Sequence, residues 1–177
     1  MITKHASELP KPSHGRKLFF TLWPDDATRA ALARLQPLVA GRAIDPAKLH
    51  LTLAFLGMQP EQAVAPLCAI LDGLAVPPMT LAIDRLGYFG APRIAWAGMT
   101  HVPDALTAMQ AALVAQLAGA GFTAAAHGPF KPHVTLARDA AAPAPTSFDT
   151  VIWRVAGAAL VESVPATGAY RTLACQS

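Results

Sequence analysis

The sequence predicts an α+β fold in two lobes of similar build, with antiparallel sheets, outer helices and a central cleft on a pseudo-two-fold axis. Three observations carry that expectation. Short β-rich stretches are interleaved with helical stretches and with hairpin signals, which argues against a parallel doubly wound sheet. The order strand, helix, strand occurs over 17–23, 25–40 and 49–56, and again over 93–99, 103–117 and 133–138. Each of these halves ends on the same four-residue pattern, His50-Leu51-Thr52-Leu53 and His133-Val134-Thr135-Leu136.

A chain of 177 residues, 53% of them apolar, has enough material for one sizeable core. The expected organisation is a flexible extension over 1–15 and a single two-lobed domain over 16–177. Pro10, Pro12 and Gly15 mark the extension, and order is expected from Arg16. The net charge of +3 suits anionic partners but is too small for tight, sequence-independent nucleic-acid binding. Cys68 and Cys175 have neither metal-ligand nor disulfide spacing and read as thiols in a reducing compartment. No apolar run reaches the roughly 18 residues of a membrane span, and the N-terminus lacks the apolar centre of a signal peptide. A cytoplasmic monomer without membrane contact is the expectation.

Taken in order, KLFFTLW (17–23) reads as a buried strand. Pro24 and Asp25 open a helix whose stripe is Ala27, Ala31, Leu35 and Leu38, with Pro37 inside it and Gly41 as its stop. The first motif strand, 49–56, ends at Gly57. A second helix over 59–74 carries Val64, Leu67, Cys68 and Leu71 on one side, with Pro66 in its first turns. Residues 80–89 and 93–99 read as a hairpin around Gly90-Ala91-Pro92. Leu106, Met109, Gln110, Leu113 and Leu117 set a helix over 103–117 that closes at Gly119-Ala120-Gly121. After the second motif strand an Ala/Pro loop, 140–146, leads to strands near 150–155, 157–163 and 169–175.

Alternation in a strand puts His50 and Thr52 on one face and Leu51, Leu53 and Phe55 on the other. The second copy sets His133 with Thr135, and Val134 with Leu136 behind them. A lone His in a strand is usually structural, and a lone His-x-Thr arises by chance. Two copies in equivalent contexts have a chance probability on the order of one in a thousand or less. Two imidazoles titrating near neutrality can take one proton and give another without a metal. That is what addition of water to a cyclic phosphodiester requires. Hydroxyls on Thr52 and Thr135 are suited to hold phosphate oxygens.

Competing readings find less support. A metal site lacks further ligands, since only Asp45 and Asp139 stand near the motifs. There is no Gly-x-Ser-x-Gly, no GxxxxGK[ST] and no GxGxxG. His5, His14, His101 and His127 read as incidental, with His127 near enough in sequence to line the cleft. Of the nearby cations, Lys48 reads as a solvated charge and Lys131 as a phosphate contact. Arg138 falls on the wrong face by strict alternation and reaches the site only if the strand ends or bulges at Ala137. Among Phe19, Phe20, Trp23, Tyr88, Phe89 and Phe130, the two chosen to stack on a base are Tyr88 and Phe130.

With these residues in view, the sequence resembles the 2H phosphoesterase superfamily, and within it the RNA 2′,3′-cyclic phosphodiesterase branch, also described as 2′-5′ RNA ligases. The similar stretches are KLFFTLWP, LHLTLAFLG, DRLGYFGAPRIAWAG, FKPHVTLAR and LVES followed by Tyr170. The resemblance implies a two-lobed α+β fold, no cofactor and no metal, and hydrolysis of a 2′,3′-cyclic phosphate on RNA ends or small cyclic nucleotides to a 2′-phosphomonoester. It implies His50 as proton donor, His133 as proton acceptor, and Thr52 and Thr135 as phosphate contacts; the motifs alone do not distinguish the two histidines. The alternatives are 2′-5′ ligation by the reverse chemistry and a non-catalytic module that binds RNA ends.

Overall fold

The computed structural model describes residues 15–125 and 128–176. The expected extension, save Gly15, lies outside the described residues, and so does His127. The first strand, β1, spans Arg16–Leu22. Helix α1 spans Asp26–Ala33, and the Asp25 carboxylate caps it by accepting from the Thr28 N–H at 2.7 Å. The helix expected over 25–40 therefore stops early. Pro37 has no N–H and disfavours helical geometry at the residue before it, so the chain tightens into a 3-10 turn at Gln36–Leu38.

A two-residue strand that sequence reasoning did not foresee, β2 (Arg42–Ala43), and a 3-10 turn at Pro46–Lys48 lead to β3, Leu51–Gln59. Strand β3 does not end at Gly57. It passes through that glycine at φ +67° in a bulge against β1, with Leu18 opposite Gly57 and Phe19 opposite Phe55. Helix α2 (Val64–Gly73) follows a 3-10 turn at Glu61–Ala63, and Pro66 sits in its first turn, where an N–H has no helical partner.

The stretch expected as one strand over 80–89 is two strands in two different sheets. They are β4, Met79–Ile83, and β5, Arg85–Phe89. Asp84 makes the break: its N–H donates to the Gly98 carbonyl at 3.0 Å, and its carboxylate accepts from the Thr100 N–H at 2.7 Å. The hairpin holds for β5 with β6 (Ile94–Gly98) alone. Helix α3 spans Asp104–Gly119 and β7 spans His133–Arg138. The last strands are β8 (Val151–Val155), β9 (Ala158–Ser163) and β10 (Tyr170–Cys175).

The main sheet has the order β10-β9-β1-β3-β7-β6-β5, with β2 added on β7, and β4 pairs β8 in a separate antiparallel ribbon. Its centre shows the repeat that the sequence suggested. Strands β1 and β3 with α1 between them in the chain lie on one side, and β6 and β7 with α3 between them on the other. The halves meet along β3 and β7, where Leu51 pairs with Val134. One face of the sheet is the core: Leu18, Phe20, Leu51, Leu53, Val134, Leu136 and Leu160 pack with Leu67 and Leu71 of α2 and with Leu106, Met109, Leu113 and Leu117 of α3. Those four α3 positions recur at helical spacing, so one stripe meets the sheet. The opposite face carries Phe19, Ala159 and Val161 with Trp23, Phe55 and Tyr170, along with both motif histidines. Among the described residues no helix is long and apolar enough to cross a membrane.

Candidate active site

The Leu51–Val134 pair sets the geometry. Extending that antiparallel register by one residue each way puts His50 beside Thr135 and Thr52 beside His133. Two imidazoles and two hydroxyls thus occupy the corners of one small patch. All four residues are half-buried, whereas Leu51 and Val134 are fully buried on the other face.

Both imidazoles are held in the same way. His50 Nδ1 lies 2.6 Å from the Lys48 carbonyl oxygen, and His133 Nδ1 lies 2.7 Å from that of Lys131. A carbonyl only accepts, so each Nδ1–H donates to the residue two positions earlier. In the neutral ring this leaves the Nε2 lone pair free of its own proton and directed elsewhere. The motif is therefore wider than the sequence reading made it: Lys48 and Lys131 act first through their backbones. The Nε2 atoms differ. That of His50 is 3.0 Å from Thr52 Oγ1, and no such bond joins His133 to Thr135.

The two rings sit in unlike walls. His50 is packed by Phe19 at 5.1 Å, Tyr170 at 5.4 Å and Trp23 at 5.6 Å between ring centroids. Burial pushes its pKa down to about 4, against the Lys48 hydrogen bond that raises it; the charges of His133 and Arg138 lower it further. His133 stands edge-on to Phe89 at 4.9 Å and 6.2 Å from Trp96. Burial lowers its pKa too, again opposed by its carbonyl partner. Burial raises the Tyr170 phenol, with Arg138 acting the other way.

Arg138 reaches the cleft by the route alternation required. Trp96 lies opposite Thr135 while Ala95 lies opposite Ala137, so β7 carries an extra residue at this point. Ala137 is buried against Tyr88, Ala95 and Ala140, and Arg138 emerges on the exposed side, where its charge is felt by His50 and Tyr170. Strand β2 braces this end by pairing Arg42 with Arg138 and Ala43 with Ala137.

Other expected site residues lie elsewhere. Tyr88 packs on Ala95, Ala137 and Ala140, and its hydroxyl donates to the Ala140 carbonyl at 3.2 Å, because its neighbour Phe89 takes the cleft face of β5. Phe130 packs against the main core, where burial outweighs exposure of an apolar ring. The Lys131 side chain is exposed, and its carbonyl makes the contact with His133. Lys48 is no plain solvated charge: its ammonium stands 5.7 Å over the Tyr170 ring. Phe89, Trp96, Trp23 and Tyr170 are the wall residues that sequence reasoning did not select. Alternation along 85–89 already put Phe89 opposite Tyr88, but only the pairing of β10 with β9 carries Tyr170 to His50. Among the described residues no group of three or more His, Cys, Asp or Glu is placed to hold a metal ion.

Fold and site together define an α+β protein with one histidine-threonine pair from each half facing a shared cleft. The profile of the 2′-5′ RNA ligase superfamily matches residues 24–167, and the chain belongs to that superfamily, of the 2H phosphoesterase type. The RNA 2′,3′-cyclic phosphodiesterase of Thermus thermophilus is 34% identical over 166 residues, 83% of this chain and 81% of that protein. The protein of the same name from Escherichia coli K12 is 36% identical over 104 residues, 59% of this chain and 58% of its own length. With the Geobacillus stearothermophilus protein the match spans 40% of the relative's length. Among solved structures, E. coli LigT complexed with 3′-AMP has a TM-score of 0.81 at 30% identity, covering 92% of this chain and 97% of that one.

Proposed function

We propose that this protein hydrolyses the 2′,3′-cyclic phosphate of RNA ends or of small cyclic nucleotides to a 2′-phosphomonoester, without a metal, in a reducing cytoplasm. The observation that carries the reading is the pair of imidazoles with identical Nδ1–H anchors across one patch. The relatives named RNA 2′,3′-cyclic phosphodiesterase support the substrate class.

In this reading His133 Nε2 takes the proton of the attacking water. The water oxygen bonds to phosphorus, the bond from phosphorus to O3′ breaks, and O3′ receives the proton from His50 Nε2–H. The backbone anchors fix both rings, so neither has to reorient as its proton moves. Thr52, Thr135 and Arg138 hold the phosphate oxygens as their charge redistributes. The Thr52 hydroxyl leaves His50 Nε2 for the phosphate when His50 becomes protonated. Among the described residues the charges that act on His50 are those of His133 and Arg138 and no carboxylate, so the bound phosphodiester anion is itself the counter-charge that lets this half-buried imidazole hold a proton. The donor and acceptor labels follow the family resemblance, and Tyr88 and Phe130 are set aside as base-stacking residues.

Incubation with 2′,3′-cyclic mononucleotides, with and without EDTA, followed by phosphorus NMR, tests the whole reading. The 2′-phosphomonoester is expected at equal rate in both. His50→Ala and His133→Ala should each lower kcat by about 10²–10⁴-fold with unchanged circular dichroism. Near-wild-type turnover in either variant would sink the mechanism.

A further inference from the structure

The wall beside His133 has more structure than hydrolysis needs. Arg85, Gly87 and Phe89 share the cleft face of β5, and they lie opposite Gly98, Trp96 and Ile94 of β6. Trp96 in turn lies opposite Thr135, and Gly98 opposite His133. The indole lies flat on the sheet across the two glycines. A Cβ added to Gly87 would stand 2.1 Å from Trp96 Cζ2, and one added to Gly98 would stand 2.8 Å from Cζ3. Such contacts leave no room for any side chain beneath the ring. Phe89 borders the indole at 5.3 Å with a tilt of 34°, and the Arg85 guanidinium stands over it at 5.3 Å. Arg85 is exposed and forms no ion pair among the described residues. The Trp96 N–H is buried, so the ring offers its π face rather than its donor.

We infer that the Arg85–Trp96–Phe89 platform is a subsite for a second nucleoside, the one whose 5′-hydroxyl takes the place of water beside His133. The inference rests on the proposed reaction, in which His133 serves the nucleophile and His50 the departing O3′. In an in-line displacement the two partners of phosphorus lie on opposite sides. The ribose that carries the cyclic phosphate therefore extends toward the Phe19, Trp23 and Tyr170 wall around His50. Whatever is attached to the nucleophile extends toward the strands next to His133. Water brings nothing to that side; a nucleoside brings a flat base. Every base has a face that stacks on an aromatic ring, and a guanidinium on a long, free arm covers its far side.

The step balances without further reactants. The 5′-oxygen bonds to phosphorus and gives its proton to His133 Nε2, the bond to O3′ breaks, and O3′ takes the proton from His50. The product is a 2′-5′ phosphodiester with a free 3′-hydroxyl. In reverse, the 3′-oxygen attacks phosphorus, the 5′-oxygen leaves with the proton from His133, and a 2′,3′-cyclic end and a free 5′-hydroxyl result. The platform thus decides whether water or an alcohol is the partner.

The test compares 2′,3′-cyclic AMP hydrolysis with cleavage of a 2′,5′-linked diadenosine monophosphate by the full chain. The variants are Arg85→Ala, at an exposed position that the core does not use, and Gly87→Ala, whose Cβ must lift the indole. The expected result is wild-type turnover of both substrates. Each variant should then lose about fivefold or more in kcat/KM for the dinucleotide while hydrolysing cyclic AMP within twofold of wild type. Equal losses on both substrates, unchanged dinucleotide cleavage in Arg85→Ala, or no dinucleotide cleavage by the wild type would overturn the subsite and leave hydrolysis standing. Failure of the wild type to hydrolyse cyclic AMP would overturn the proposed function, and the subsite with it.

Discussion

At the scale of single residues, the two histidines are alike in their anchors and unlike in their surroundings, and pH separates the two facts. An acid-base pair works fastest where one member is protonated and the other neutral, which lies between their pKa values. In the free protein burial pushes His50 down to about 4 and also lowers His133 from 6.5. The maximum of kcat/KM for a cyclic mononucleotide is therefore expected below pH 6.5, with activity falling as pH rises and His50 loses its proton. A bound phosphate anion favours both imidazolium forms, so the kcat profile should peak at higher pH than the kcat/KM profile. Coincident profiles, or a kcat/KM maximum above pH 7, would contradict this. The aromatic wall is the stated cause of the His50 shift, so it can be removed. Tyr170→Ala should move the His50 titration, followed by NMR of the imidazole carbons, up toward 6.5, and Tyr170→Phe should not. Stability carries the same sign. A histidine whose folded pKa is depressed resists protonation in the fold, so its contribution is lost as pH falls from 6.5 toward 4.

At the scale of elements, local patterns were legible and pairings between distant segments were not. Next to the motif histidines the faces of β3 and β7 followed from alternation. Farther along, irregularities at Leu53 and Leu136 broke it: Phe55, expected to share the face of Leu51 and Leu53, lies on the histidine side with Phe19, and Arg138 comes to the cleft. The stripe of α3 followed from its period. The division at Asp84 was missed because 80–89 alternates without a gap, and only the pairing partners reveal that β4 and β5 leave in different sheets. Strand β2 was missed for a similar reason: two exposed residues have no pattern, yet they brace the end of β7 that carries Arg138. That brace depends on Gly41. Its φ is +113°, and an added Cβ would lie 2.6 Å from the Arg138 carbonyl oxygen. Gly41→Ala should cost about 1–3 kcal/mol, seen as a lower urea midpoint with unchanged slope, and should raise KM as Arg138 shifts. Arg138→Ala should then cost less in the Gly41→Ala background than in the wild type. Full additivity would separate the brace from the cation.

At the scale of the whole molecule, charge and shape bear on what the cleft can hold. One face of the main sheet packs on α2 and α3, and the other carries both motif histidines beside a smaller cluster of Phe19, Ala159 and Val161, so part of the sheet surface serves a site rather than the main core. Among the described residues the cations around the histidine face are few: Lys17 over Phe55, Arg29 over Trp23, Lys48 over Tyr170, Arg85 over Trp96, Lys131 beside His133, and Arg138. The remaining arginines near it are engaged, as Arg16 and Arg171 are on Glu162. With a net charge of +3, the molecule offers no broad field to follow an RNA backbone. Recognition should therefore be confined to the end of the strand. Each neutralised phosphate of a single strand contributes about −0.7 to the slope of log affinity against log salt. Six cations among the described residues thus limit the slope to about −4. Between 50 and 300 mM salt, 1/KM for a short oligonucleotide ending in a 2′,3′-cyclic phosphate should fall no more steeply than this. The value for a cyclic mononucleotide should fall less steeply still. A steeper slope for the oligonucleotide would mean that a surface outside the cleft grips the RNA body. The slope for Arg85→Ala should be shallower for a substrate that spans the Trp96 platform and unchanged for the mononucleotide.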